Sequence, residues 1–168
     1  MNYSNTKKRR THQSGFTLLE ILVVMVIIGI LASLGIGNFI SSQMKARDSR
    51  RKQDLKHIAT AVELFYNDYG YFPSGTGEIE GCGSVGSEIG CNWGEIFTFE
   101  STTYMVQLPL DPHAPSSTYF YESDGSYYVL YAYLENDRDP DLNEGVTTEI
   151  CATGAECNYA ISSSNHQL

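Results

Sequence analysis

The chain has 168 residues, enough for one compact domain beside an apolar segment, and a formal net charge of −9. The charge is unevenly divided: residues 1–56 carry ten Lys/Arg against three acids (net +7), and residues 57–168 carry one base, Arg138, against seventeen acids (net −16). Phosphate backbones are held by clustered Lys/Arg, so the acidic portion argues against a nucleic-acid footprint there.

In chain order, a basic run, Lys7, Lys8, Arg9 and Arg10, comes first. The 25 residues 16–40 then hold a single charged side chain, Glu20. A helix rising about 1.5 Å per residue crosses a hydrocarbon core of roughly 30 Å with about 20 residues, so this segment reads as membrane-spanning. It is too long for the apolar core of a secretory signal, and no A-x-A-like site follows it. Four bases precede it and six follow closely, so charge counting does not orient it. Glu20 lies one turn inside, where a carboxylate is costly unless it reaches headgroups or meets a positive partner. Gly35 and Gly37 either permit close approach of a neighbouring helix or make a weak point that can unwind during assembly.

The basic stretch 45–56 is the one part that could bind phosphates, but it reads first as a solvated collar outside the membrane. Leu55, Ile58, Ala59, Val62, Phe65, Tyr66 and Tyr69 then recur in steps of three and four, the apolar stripe of an amphipathic helix, with Lys56, Glu63 and Asp68 on the polar face. Gly70 suits a C-cap, and Pro73 prevents the helix from resuming. Residues 73–94 contain seven glycines and read as a loop, with Trp93 packing it onto the domain. Leu108-Pro109-Leu110-Asp111-Pro112 follows. Residues 117–122 and 126–134 have strand character and flank Ser123-Asp124-Gly125, a hairpin turn. Alternation puts Val129, Tyr131 and Tyr133 on one face and Tyr128, Leu130 and Leu134 on the other, with the tyrosines read as sheet packing. A third strand is expected in 146–151 or 157–161.

Four cysteines form two local pairs, Cys82/Cys91 and Cys151/Cys157, in the acidic portion. Three pairings are open, of which the local one closes the shortest loops. CxxC spacing is absent and the histidines do not cluster with the cysteines, so zinc is not expected. Disulfides belong to an oxidising compartment, which places the C-terminal portion outside the cytoplasm. Between the hairpin and Cys151, Asp137, Asp139 and Asp141 offer oxygen ligands of the kind calcium takes. An EF-hand is excluded, because Leu142 stands where its glycine belongs and Thr148 at its twelfth position. The other reading is a solvated acidic loop. GxSxG and HExxH are absent, and His57 and His113 have no nucleophile motif beside them.

The basic run followed by Ser14-Gly15-Phe16-Thr17-Leu18-Leu19-Glu20 and a long apolar helix resembles the class III signal of type IV prepilins and pseudopilins. Leu-Pro-x-Asp-Pro before a tyrosine-rich hairpin resembles the major pseudopilin of type II secretion. The resemblance implies an α+β, pilin-like fold, a long N-terminal helix packed on a small antiparallel sheet. Its segments would be a cleaved leader (1–15), a transmembrane and filament-core helix (16–40), an amphipathic helix (41–72), and a head with the glycine-rich loop, hairpin and C-terminal disulfide region (73–168).

The resemblance further implies cleavage after Gly15 by prepilin peptidase, N-methylation of Phe16, and pairing of Glu20 with the new amine of a neighbouring subunit. Its implied partners are copies of the chain and related pilins, the inner-membrane assembly platform and membrane lipid. Calcium in the loop after the hairpin is the one candidate cofactor, with Asp137, Asp139 and Asp141 as ligands; this chain lacks the family's glycine-rich version of that loop. The implied function is a filament subunit, not an enzyme. The alternative is an extracytoplasmic binding domain that uses the helix only as an anchor.

Overall fold

The computed structural model describes residues 15–143 and 145–166, with backbone alone at 34–38. The leader before Gly15, the surroundings of Gly35 and Gly37, and Glu144 lie outside the described residues. The chain divides into two units at Ile40/Ser41.

One helix, α1, runs Leu18–Tyr69. In the first unit its described side chains are exposed: Leu18 is 91% accessible, and even the least exposed large one, Val23, is 46% accessible.

In the second unit α1 buries a stripe at Asp48, Arg51, Leu55, Ile58, Val62 and Phe65, a run of three- and four-residue steps. The four apolar members are those expected, and burial stabilises the fold by roughly 1.5–3 kcal/mol each. Tyr66 departs from the expected stripe and stays exposed. The collar also departs, since Arg51 is fully buried and Arg47 and Lys52 partly so, leaving Lys45, Arg50 and Lys56 exposed. Gly70, at φ 78°, ends the helix with its N–H on the Tyr66 carbonyl.

Two four-stranded sheets pack against this stripe. The first has the order β1 (Gly75–Gly77), β6 (Phe120–Ser123), β7 (Tyr128–Ala132), β10 (Tyr159–Ser162) and is antiparallel throughout. The predicted hairpin is β6–β7, and Asp124 holds its turn by accepting the Ser126 N–H and hydroxyl. Every residue of β7 is buried. Tyr128, Leu130 and Ala132 face α1, whereas Val129 and Tyr131 pack on Cys151 and Cys157, the expected alternation. Of the two third-strand candidates, 157–161 supplies β10, which joins this sheet, whereas 146–151 is strand only at its end, where β8 (Ile150–Ala152) pairs with β9 (Ala155–Glu156) in a separate two-stranded sheet.

The second sheet corrects the reading of 73–94 as a loop. Its order is β3 (Ser87–Cys91), β2 (Ile79–Ser84), β4 (Phe97–Phe99), β5 (Thr102–Met105), with β2 and β4 parallel. The glycines there serve close packing. A Cβ on Gly81 would lie 2.7 Å from Pro73, and one on Gly83 would lie 2.5 Å from the Ser87 carbonyl oxygen, at a φ of 99°. Phe97 and Phe99 reach the core and pack around Phe65, Phe97 stacked and Phe99 tilted.

Candidate functional site

At the start of α1, Gly15 and Phe16 precede the helix, and Phe16 is 84% accessible. Thr17 and Glu20 form a reciprocal cap. The Thr17 N–H and hydroxyl each donate to Glu20 Oε2 at 2.8 Å, and the Glu20 N–H donates to Thr17 Oγ1 at 3.3 Å. This is the S/T-x-x-E capping box, which satisfies two amide donors at the helix start. The sequence carries its signature as Thr17-x-x-Glu20, so Glu20 has a local role at the helix start beside its cost in lipid and the amine partner the resemblance implies. Among the described residues no helix is long and apolar enough to cross a membrane; described side chains run from Leu18 to Ser33 and resume at Phe39.

A second cluster is built where α1 meets the segments after β5 and β7. Arg51 Nε and Nη2 donate to the two Asp111 oxygens at 2.7 and 3.0 Å, and its Nη1 donates to Asp48 at 2.8 Å and Glu135 at 2.7 Å. Arg47 also pairs with Glu135. Asp48 accepts the backbone N–H groups of Glu135 and Asn136, both at 2.9 Å, and Asp111 accepts that of His113 at 2.7 Å. The proline-flanked Asp111 is therefore the clasp that fastens its turn to α1. Hydropathy alone hid this cluster, because Asp48 and Arg51 are charged; their three-residue spacing in phase with Leu55 was the available signal.

Charge inside the cluster is stabilised in its ionised form. The hydrogen bond from Arg47, with those from Arg51, holds the Glu135 carboxyl down at about 2 against its burial. Burial pulls Arg51 down, but its bonds to Asp111, Glu135 and Asp48 outweigh that and raise it. Two tyrosines also reach back to α1: the buried Tyr119 donates to Asp54 at 2.8 Å and the half-buried Tyr104 to Asp68 at 2.8 Å. Burial and then those carboxylates push both phenols up. The hydroxyls are thus spent on internal bonds.

The acidic segment after β7 meets Lys52. Its Nζ donates to Asp139 Oδ1 and, at 2.7 Å, to Asp141 Oδ2. Asp137 is exposed in the intervening turn. Among the described residues no group of three or more His, Cys, Asp or Glu side chains is placed to hold a metal ion. Asp139 and Asp141 converge on an ammonium, so this arrangement does not fit a calcium ion between them. Cys82 is bonded to Cys91 and Cys151 to Cys157, with Cα separations of 5.4 and 4.9 Å. His57 lies exposed on α1, and His113 lies exposed in the turn after Asp111.

Comparison with known proteins points the same way as the helix start. The model of the prokaryotic N-terminal methylation motif matches residues 10–36. The type II secretion system core protein G of Pseudomonas aeruginosa is 32% identical over 126 residues, covering 74% of this chain and 84% of that protein. Its namesake in Klebsiella pneumoniae is 40% identical over 135 residues, covering 80% of this chain and 92% of that protein. The type IV major pilin protein PilA of Myxococcus xanthus is 40% identical over 65 residues, covering 39% of this chain and 30% of that protein. No solved structure matches the chain.

Proposed function

Because the chain belongs to the family of type II secretion pseudopilins and type IV pilins, we propose that it is cut after Gly15, methylated on Phe16 and polymerised through α1 into a pilus or a secretion pseudopilus. Its role is structural rather than enzymatic. The observation that carries the proposal is the position of the methylation motif. It falls on the start of a helix whose large apolar side chains are exposed from Leu18 to Leu31, with Glu20 the one acid among them. A surface of this kind needs lipid or other helices around it, and a filament supplies the second after the membrane has supplied the first.

Before assembly the subunit would sit in the cytoplasmic membrane with its N-terminus inside and its head outside, a placement the two disulfides support. Prepilin peptidase and the inner-membrane assembly platform are its partners in that account. Cleavage would expose an amine at Phe16, four residues before Glu20 at the end of the capping box. Glu20 could then exchange its Thr17 cap for the amine of a neighbouring subunit, with one carboxylate serving both states.

The Glu20→Leu variant tests this. Its membrane level should equal or exceed that of the wild type, because the costly charge is gone. Its filament yield, read by shearing and immunoblot in cells carrying the peptidase and platform, should fall sharply. Normal filament yield would contradict the assembly role of Glu20.

A further inference from the structure

The segment after β7 carries Glu135, Asp137, Asp139 and Asp141 within seven residues, with Arg138 its single base. Such a run repels itself unless cations are brought to it. One helix supplies them at 47, 51 and 52. Arg47 and Arg51 take Glu135, and Lys52 takes Asp139 and Asp141. The backbone of the segment is fixed as well. Asp48 accepts the amides of Glu135 and Asn136, Asp139 Oδ1 accepts the Asp141 amide at 3.0 Å, and the Asn143 amide donates to the Asn158 carbonyl at 2.9 Å.

Lys52 is built into this place. Its side chain is 18% accessible, and its Nζ lies 5.5 Å from the centre of the Tyr159 ring, a cation–π distance. Burial pulls the ammonium down, but Asp139 and Asp141 outweigh it and hold it above the ordinary lysine value, so it is charged throughout the physiological range. Asp139 is correspondingly lowered, first by its bond from Lys52. A divalent ion gathering Asp139 and Asp141 would have to displace this ammonium or lie within a few ångströms of a like charge.

We propose that Lys52 is the resident cation of the acidic loop: its ammonium, covalently part of α1, gathers Asp139 and Asp141 as a metal ion would, so that the head holds this loop without a divalent metal. Lys52 is a positioning residue, acting through the two aspartates on the segment between β7 and Cys151. The inference does not depend on the filament reading.

The test is thermal unfolding of the full chain in detergent, in millimolar calcium and in chelator, for the wild type, Lys52→Met and Lys52→Arg. The wild-type midpoint should be the same in both solutions. Lys52→Met keeps most of the stem but not the charge, and should melt about 2–4 °C lower in chelator. Lys52→Arg keeps the charge and should recover at least half of that loss. A wild-type midpoint that rises by several degrees with calcium would overturn the proposal. So would a Lys52→Met midpoint equal to that of the wild type, or a Lys52→Arg protein as unstable as Lys52→Met.

Discussion

Arg51 shows how much a single side chain organises here. It is fully buried, and its guanidinium bridges Asp48 on its own helix, Asp111 after β5 and Glu135 after β7. Exchanging a whole buried ionic cluster for apolar side chains can be neutral, but removing one partner strands the others. Arg51→Met should therefore cost about 3–5 kcal/mol in chemical unfolding, because Asp48 and Asp111 keep their charges without their cation. Arg51→Lys should recover only part of this, since an ammonium cannot make the two-pronged bond to Asp111.

Glu135 gives the same cluster a pH signature. Its folded value of about 2 lies below the ordinary 4.5. Its stabilisation is thus fully present above about pH 4.5 and is lost as pH falls through the folded value. Thermal midpoints should decline between about pH 4.5 and pH 2, and more shallowly in Glu135→Gln. Equal declines in the two proteins would remove Glu135 from the account.

At the scale of elements, what was legible in the sequence followed the strength of the period. Leu55, Ile58, Val62 and Phe65 announce their helix face, and Asp124-Gly125 between two tyrosine-rich runs announces β6–β7. The β2–β3 hairpin was missed because glycine was counted as looseness. Gly81 and Gly83 are instead places where another chain segment comes too near for a Cβ. The basic collar was misread for a related reason, since a cation on an otherwise polar stretch looks solvated until its distant carboxylates are known. Asp111 and Glu135 lie 60 and 84 residues from Arg51, beyond any local pattern.

The small C-terminal hairpin depends on its covalent link. Cys151 and Cys157 cover the outer face of β7 at Val129 and Tyr131, where β8 and β9 contribute only five residues of strand. Replacing both cysteines by serine should cost about 2 kcal/mol from loop closure alone. Hydrogen exchange should then rise first in residues 150–157, with the β6–β7 ladder still protected. Simultaneous loss of protection in β7 would show that the link supports the whole sheet.

For the whole molecule, the two units carry complementary demands. The unit from Ser41 onward satisfies its buried charges internally: among the described residues no buried side-chain polar atom lacks a partner. The unit up to Ile40 exposes nearly all its described apolar side chains and so requires surroundings that are not part of the single chain. That asymmetry, together with a methylation motif at the start of the exposed helix, is the physical content of the filament reading. It makes cleavage at one bond the event on which everything else depends. Mass spectrometry of the mature N-terminus, in protein recovered from cells carrying prepilin peptidase, tests this most directly. The account predicts a chain beginning with N-methylated Phe16. An N-terminus still at Met1, or one beyond Ile40 with α1's apolar half removed, would contradict it.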